Sequence, residues 1–138
     1  MAEPFTYDPR SRMLEGESLV APVVVYVLYL IALPTVGLSS LIGLIVAYAM
    51  KGEAGPVARS HYVFQVRTFW WHLLAFPLGV LLVGLGVPLS FVGVGVPLVI
   101  VGGLMLAGAH LWYLARCVVG LVVAAQGEAY PRPRGWLV

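Results

Sequence analysis

Negative charge is missing from most of this sequence. No Asp or Glu lies between Glu53 and Glu128, and charged residues make up 10% of the chain while hydrophobic residues make up 61%. Soluble domains carry about 25% charged residues. A water-soluble fold could not cover its surface with so few charges, so lipid must cover it instead. The composition therefore predicts an all-α integral membrane protein.

Other absences exclude whole classes of function. The single cysteine, Cys117, excludes an internal disulfide and a cysteine-based metal cluster. The net charge of +2 is too small to indicate a nucleic-acid partner. The sequence contains no paired carboxylates, no Ser-His-Asp set and no glycine-rich phosphate loop after a strand. We therefore expect neither enzyme activity nor a cofactor.

The hydropathy pattern divides the chain into three parts. A polar N-terminal tail, a single helical transmembrane domain and an extended C-terminal tail occupy residues 1–18, 19–126 and 127–138. About 20 residues cross the hydrocarbon core of a bilayer, so the apolar runs predict three transmembrane helices. These spans lie at about residues 19–50, 57–83 and 98–125.

The first predicted span is long and contains Pro34. A proline removes a backbone donor, so we expect a kink at this position. If the chain instead breaks at Pro34 and turns back, it makes four passes. We take three passes as the working prediction.

The positive charges indicate an orientation. In the three-span arrangement, one side of the membrane receives Lys51, Arg59, Arg67, Arg116, Arg132 and Arg134. Loops rich in Lys and Arg stay in the cytoplasm. We therefore expect the 51–59 loop and the C-terminus to be cytoplasmic, and the N-terminus to be outside unless the chain makes four passes.

The densest polar cluster within the apolar region begins the second span. It consists of His61, Gln65, Thr68 and His72. Their spacing of i, i+4, i+7 and i+11 places them on one stripe, which we expect to be a polar seam that hydrogen-bonds across helices. The two histidines lie roughly 16 Å apart along the helix axis, so one ion could not bind both, and we expect no metal site.

Arg67 and Arg116 are the candidate functional pair. One begins the second span and the other ends the third, so antiparallel packing places them at similar depth, with Arg59 at the mouth. Their side chains could simply snorkel to the headgroups. Alternatively they bind an anion, either a lipid phosphate or a partner's carboxylate, because no carboxylate inside the spans can neutralise them.

Two sets of small residues indicate close helix packing. Ser39, Gly43 and Ala47 recur every four residues on the first span, and Gly103 and Ala107 form a second pair on the third. Small side chains let the backbones of membrane helices approach each other. We therefore expect both sets to face another helix.

Two blocks of the sequence carry a family resemblance. The first is HYVFQVRTFW at residues 61–70, and the second is WYLARCVVG at residues 112–120. Both resemble a family of small bacterial multi-pass membrane proteins with a domain of unknown function. That family is distantly similar to the twenty-kilodalton membrane subunit of the chloroplast inner-envelope protein translocon. The resemblance implies a helical fold in a bacterial inner membrane, and it implies no activity.

Two classes of function remain. The first is a non-catalytic interaction, accessory or assembly subunit of an inner-membrane complex. Its expected partners are anionic lipid headgroups and either other membrane subunits or copies of itself. The alternative is a small oligomeric channel or carrier, with the polar stripe lining the path.

Overall fold

The computed structural model describes residues 17–32 and 37–137. Within this part the chain is all-helical, as predicted, and contains no strand. Its helices are α1 (Val20–Ile31), α2 (Leu38–Lys51), α3 (Pro56–Leu89) and α4 (Gly95–Ala125). A 3₁₀ turn, Ser90–Val92, follows α3. The predicted N-terminal tail lies almost wholly outside the described residues.

The prediction of one long helix for the first span is wrong. Two short helices, α1 with 12 residues and α2 with 14, take its place. They lie antiparallel, because the Ser39 hydroxyl of α2 donates to the Leu28 carbonyl oxygen of α1 at 2.8 Å, while Gly43, further along α2, packs against Val25, which is earlier in α1. Each is shorter than the roughly 20 residues that cross a hydrocarbon core.

The chain reverses between these two helices. Pro34, the predicted kink, lies outside the described residues. Gly37, just before α2, has a φ of 84°, a left-handed conformation that glycine adopts without strain. Its N–H donates to the Ala32 carbonyl oxygen at 2.9 Å. A reversal in this region was the alternative to the working prediction. Hydropathy could not choose between the two, because an apolar run has the same composition whether its helix continues or folds back.

The α1–α2 hairpin brings the chain back to the end of the molecule where α1 begins. Glu17, just before α1, accepts a hydrogen bond from the backbone N–H of Ala58 at 2.9 Å. Ala58 lies in the first turn of α3, and the N-cap residue Gly55 has no side chain to satisfy the free N–H groups there. The Glu17 carboxylate takes that role, which the helix dipole also favours. Glu17 therefore lies at the same end of the bundle as the 51–59 loop.

Both long helices extend beyond their predicted spans of residues 57–83 and 98–125. The connection between them is short, because α3 continues to Leu89 and α4 begins at Gly95. Gly95 packs directly on the carbonyl oxygen of Gly86, an approach that a side chain would prevent. The turn was predicted to be longer because Gly and Pro usually end helices, whereas here the glycines allow close packing within them.

The molecule has two unlike ends. At the packed end, α1 and α2 lie against the first half of α3 and the second half of α4, and the buried side chains larger than glycine lie there. The other end is the apolar hairpin, residues 76–106 of α3 and α4, where Phe91 at the tip is 92% exposed. No charged residue lies between Arg67 and Arg116. The segments Pro56–Val92 and Gly95–Ala125 are long and apolar enough to cross a membrane.

The two sets of small residues have different surroundings. One set is buried on α2: Ser39, Gly43 and Ala47. Gly103 and Ala107, in contrast, are exposed, and a side chain at Gly103 would meet nothing within 4 Å. The close approach to α3 falls on Gly102, whose position is rotated by about 100° around the helix from that of Gly103. The packing prediction for Gly103 and Ala107 is therefore wrong within this chain.

The α1–α2 hairpin leads to a prediction about sidedness. The variants Ser18→Cys and Glu53→Cys should both react with a membrane-impermeant maleimide from the same side of the bilayer, because the hairpin returns the chain to its starting end. The native Cys117 is buried and should stay unlabelled in the folded protein, which makes it an internal control. Labelling of positions 18 and 53 from opposite sides would contradict the hairpin and restore a single long span.

Candidate functional site

The predicted polar stripe lies inside the packed end. Three of its members are almost fully buried: His61, Gln65 and Thr68. His61 Nε2 lies 2.8 Å from the carbonyl oxygen of Glu128, and its Nδ1 lies 3.1 Å from the Tyr26 hydroxyl. A carbonyl oxygen only accepts, so Nε2 of the neutral imidazole carries the proton and Nδ1 accepts from Tyr26. His61 thereby joins α3 both to α1 and to the segment after α4.

Gln65 holds α1 against α3. Its side-chain Nε2 donates to the Pro22 carbonyl oxygen at 2.8 Å, and its own backbone carbonyl accepts from the Tyr29 hydroxyl at 3.3 Å. The Tyr113 hydroxyl of α4 in turn donates to the Tyr29 carbonyl oxygen at 3.2 Å. Each such bond contributes about 0.5–1.5 kcal/mol. These residues therefore connect three helices by hydrogen bonds inside the bundle.

Arg116 is fully buried at the centre of the packed end. Its Nε donates to Thr68 Oγ1 at 2.9 Å, and its guanidinium carbon lies 3.9 Å above the Phe64 ring. Its Nη1 donates to the backbone carbonyl oxygens of residues 135–137, at 3.0, 3.1 and 3.3 Å. Carbonyl dipoles and an aromatic face offset part of the cost of burying the charge. Arg116 therefore does not snorkel, because the chain's own C-terminal tail supplies its partners.

The C-terminal tail folds back along α3. Gly127, with a φ of 75°, follows α4, and Tyr130 then stacks on Phe64 with ring centroids 3.7 Å apart. At the far end of the tail, Trp136 packs on Trp71 with centroids 4.2 Å apart. Burial raises the pKa of the Tyr130 hydroxyl above its usual range. The tail thus covers one face of α3 and carries its arginines onto that face.

Within the described ranges 17–32 and 37–137, two buried guanidinium nitrogens have no hydrogen-bond partner, Nε of Arg67 and Nη2 of Arg116. The two charged groups are close enough to interact electrostatically. Neither α3 nor α4 contains an Asp or Glu that could neutralise them. Two like charges with a free donor each favour an anion nearby.

Three arginines meet at a groove near the start of α3. Arg59 of α3 and Arg132 and Arg134 of the tail line this groove, which has a volume of about 530 Å³ and also includes Ser60. We call the surface of Arg59, Arg132 and Arg134 the basic groove. Sequence reasoning singled out Arg59 and missed the other two as binding residues, because only the folded-back tail brings them beside it. The Pro-Arg-Pro-Arg pattern was a signal, since proline keeps the chain out of a helix.

His72, the fourth member of the stripe, does not join the other three. Its ring lies 5.2 Å from the ring of His110 and 4.5 Å from that of Tyr113, measured between centroids. Its Nε2 is buried and has no hydrogen-bond partner in the part of the chain that the structure describes. In the described part of the chain, no three His, Cys, Asp or Glu residues come together to hold a metal ion.

No family model, curated protein or solved structure matches this chain. The resemblance to the bacterial family and to the translocon subunit therefore stays a prediction. Its two blocks, residues 61–70 and 112–120, pack against each other in the structure, since Arg116 of the second donates to Thr68 of the first.

Proposed function

We propose that this chain is a non-catalytic integral membrane protein that acts as an interaction or assembly subunit and holds anionic lipid headgroups in its basic groove. α3 and α4 cross the bilayer, and the packed end faces the cytoplasm according to the positive-inside rule. The membrane is the inner membrane of a bacterium, as the family resemblance implies.

The membrane placement rests on the apolar hairpin. Its outward side chains are large and hydrophobic, with Leu81, Leu85, Ile100 and Leu104 all more than half exposed. Water-soluble monomers rarely expose a continuous apolar surface of this extent. Lipid covers such a surface at no cost, and a second copy or another membrane subunit could pack against the same side chains.

The basic groove is the observation that supports lipid binding. A guanidinium presents a planar fork of donors that fits phosphate oxygens in pairs, so three arginines around one groove suit a phosphate group. Arg59 lies eight residues before Arg67, the last charge of α3, or about 12 Å along the helix. The groove therefore lies on the polar side of the apolar region, where headgroup phosphates lie.

The two predicted functional arginines play different parts in this proposal. Arg116 holds the backbone of residues 135–137 and so fixes the position of the tail that carries Arg132 and Arg134. Arg67 does not line the basic groove; it lies about 12 Å deeper along α3, and its Nε has no hydrogen-bond partner among the described residues. Arg67 thus offers a separate donor on the bilayer side of the groove, while Arg116 acts as a positioning residue.

The channel alternative draws no support from the three members of the polar stripe that lie inside the bundle. His61, Gln65 and Thr68 are 0–1% exposed, and their partners are backbone and side-chain groups of this chain. A conducting path needs polar groups that face a water-filled space.

Lipid retention tests the proposal. The triple variant Arg59→Gln/Arg132→Gln/Arg134→Gln should retain anionic phospholipid at least about tenfold more weakly than the parent, since each basic residue near an anionic surface contributes about 1 kcal/mol. Native mass spectrometry of protein released from mild detergent would count the bound lipids. Arg59→Lys should lose part of the retention, because it keeps the charge but not the planar fork.

Lys51→Gln is the control for a loss of charge alone, since it removes one positive charge from the same end outside the groove. It should retain lipid like the parent. Equal retention by the parent and the triple variant would rule out the groove as a lipid site. If the triple variant kept its lipid and lost a protein partner instead, the natural anion would be a carboxylate of that partner.

A further inference from the structure

A second cavity lies deeper in the molecule, between the α1–α2 hairpin and the two long helices. Its volume is about 290 Å³. Among the described residues, α1 and α2 contribute their facing ends, including Ala32 and Leu41, and the long helices contribute Phe69, His72, Phe76, His110 and Tyr113. The cavity shares no lining residue with the basic groove and serves no part of the proposed function.

The depth of this cavity selects the kind of ligand that reaches it. His72 lies five residues beyond Arg67, about 8 Å further along α3. At its rim, Leu38, Leu73 and Phe76 are 67%, 43% and 38% exposed, so the surrounding surface is apolar and faces lipid in a bilayer. A ligand would therefore arrive from the hydrocarbon phase.

The polar groups of the cavity restrict the ligand further. The Tyr113 hydroxyl already donates to the Tyr29 carbonyl oxygen, and the Ser40 hydroxyl donates to the Gly37 carbonyl oxygen at 2.6 Å. His72 Nε2, in contrast, is buried and has no partner among the described residues. A buried polar atom without a partner costs about 1–3 kcal/mol, which a ligand with a complementary group would recover when the His72 ring turns this nitrogen toward the cavity. A plain acyl chain offers no such group.

The volume of the cavity and its aromatic walls favour a ligand with a planar ring. An apolar cavity of about 150 Å³ holds benzene, so about 290 Å³ accommodates a substituted ring but not a whole phospholipid. Phe69 and Phe76 supply aromatic surfaces, against which a planar ring packs well. A neutral imidazole has one donor and one acceptor nitrogen, so it can bond either a ring carbonyl or a ring hydroxyl.

We propose that this cavity binds the head ring of a lipid-soluble quinone. One ring oxygen hydrogen-bonds to His72, with His110 beside it, and the ring packs against Phe69 and Phe76. The isoprenoid tail leaves past Leu73 into the lipid.

Binding measurements in nanodiscs test this proposal. The probe is decylubiquinone, and decylbenzene, which has a similar ring and tail without ring oxygens, is the ligand control. The parent protein should bind the quinone above its partition into empty nanodiscs and more tightly than decylbenzene. His72→Leu should weaken quinone binding by about three- to tenfold, as expected for one hydrogen bond, and leave decylbenzene binding nearly unchanged.

His110→Leu is the matched variant on α4. A decyl naphthoquinone, which carries the second common quinone ring, is compared with decylubiquinone as a ligand. Quinone binding equal to that of empty nanodiscs, or unchanged in both histidine variants, would overturn the proposal. If His72→Leu does not fold, an azido-substituted quinone decides the question on the parent protein. Its covalent adducts should map to residues 69–76 or 110–113, and adducts confined to other residues would also overturn the proposal.

Discussion

Arg116→Ala is expected to release the C-terminal tail and to lower the free energy of unfolding by about 2–5 kcal/mol, the range for large-to-small changes in a core. The substitution removes the donors that hold the carbonyl oxygens of residues 135–137 and the contact with Phe64. It also leaves Thr68 without its cross-helix partner. The free energy of unfolding of Arg116→Lys should lie between that of the parent and that of Arg116→Ala, since one ammonium cannot reproduce the guanidinium fork.

Limited trypsin digestion measures the release of the tail. The bond after Arg134 is next to the carbonyls that Arg116 holds, so it should resist cleavage in the parent and be cut rapidly in Arg116→Ala. Thermal unfolding in the same nanodiscs gives the change in stability. Arg59→Ala removes the same charge from an exposed position, and its stability should stay within about 0.5 kcal/mol of the parent. Cleavage of Arg116→Ala at the parent rate would show that Arg116 does not hold the tail.

Gly120→Ala is the second substitution with a large expected effect, a loss of about 1–3 kcal/mol. A Cβ at this position would lie 2.5 Å from ring atoms of Tyr26. The Tyr26 ring is 1% exposed and its hydroxyl is bonded to His61, so it has little room to move away. The added methyl group should therefore push α1 away from α4 and break the bond between Tyr26 and His61.

Gly103→Ala is the matched control, because it adds the same group to α4 where nothing lies within 4 Å. It should be neutral or stabilise the helix by up to about 1 kcal/mol, since alanine is the better helix former. Thermal unfolding of both variants gives the comparison. The double variant Tyr26→Ala/Gly120→Ala should lose less stability than the sum of the single changes. Equal stability of Gly120→Ala and the parent would contradict the close packing of α1 on α4.

Part of the candidate site could be predicted from residue spacing. The interval between His61, Gln65 and Thr68 placed them on one helix face, and the structure places all three inside the bundle. That Arg67 and Arg116 share a depth stays a prediction. The partners of Arg116 were not predictable, because they are backbone carbonyls of the tail and any sequence offers such groups.

The sequence by itself determined the class of structure: an apolar helical chain without an Asp or Glu between Glu53 and Glu128, and with Arg59, Arg67, Arg116 and the polar stripe near one end. These properties follow from composition and local periodicity, which depend on residues close together along the chain. Only the tertiary structure decided the rest. The reversal before Gly37, the closure of the tail on Arg116, the basic groove and the pairing of His72 with His110 all depend on contacts between distant residues. Hydropathy cannot encode them, because an apolar segment is equally stable against lipid or against another helix until the specific hydrogen bonds of Glu17, Gln65 and Arg116 select one arrangement.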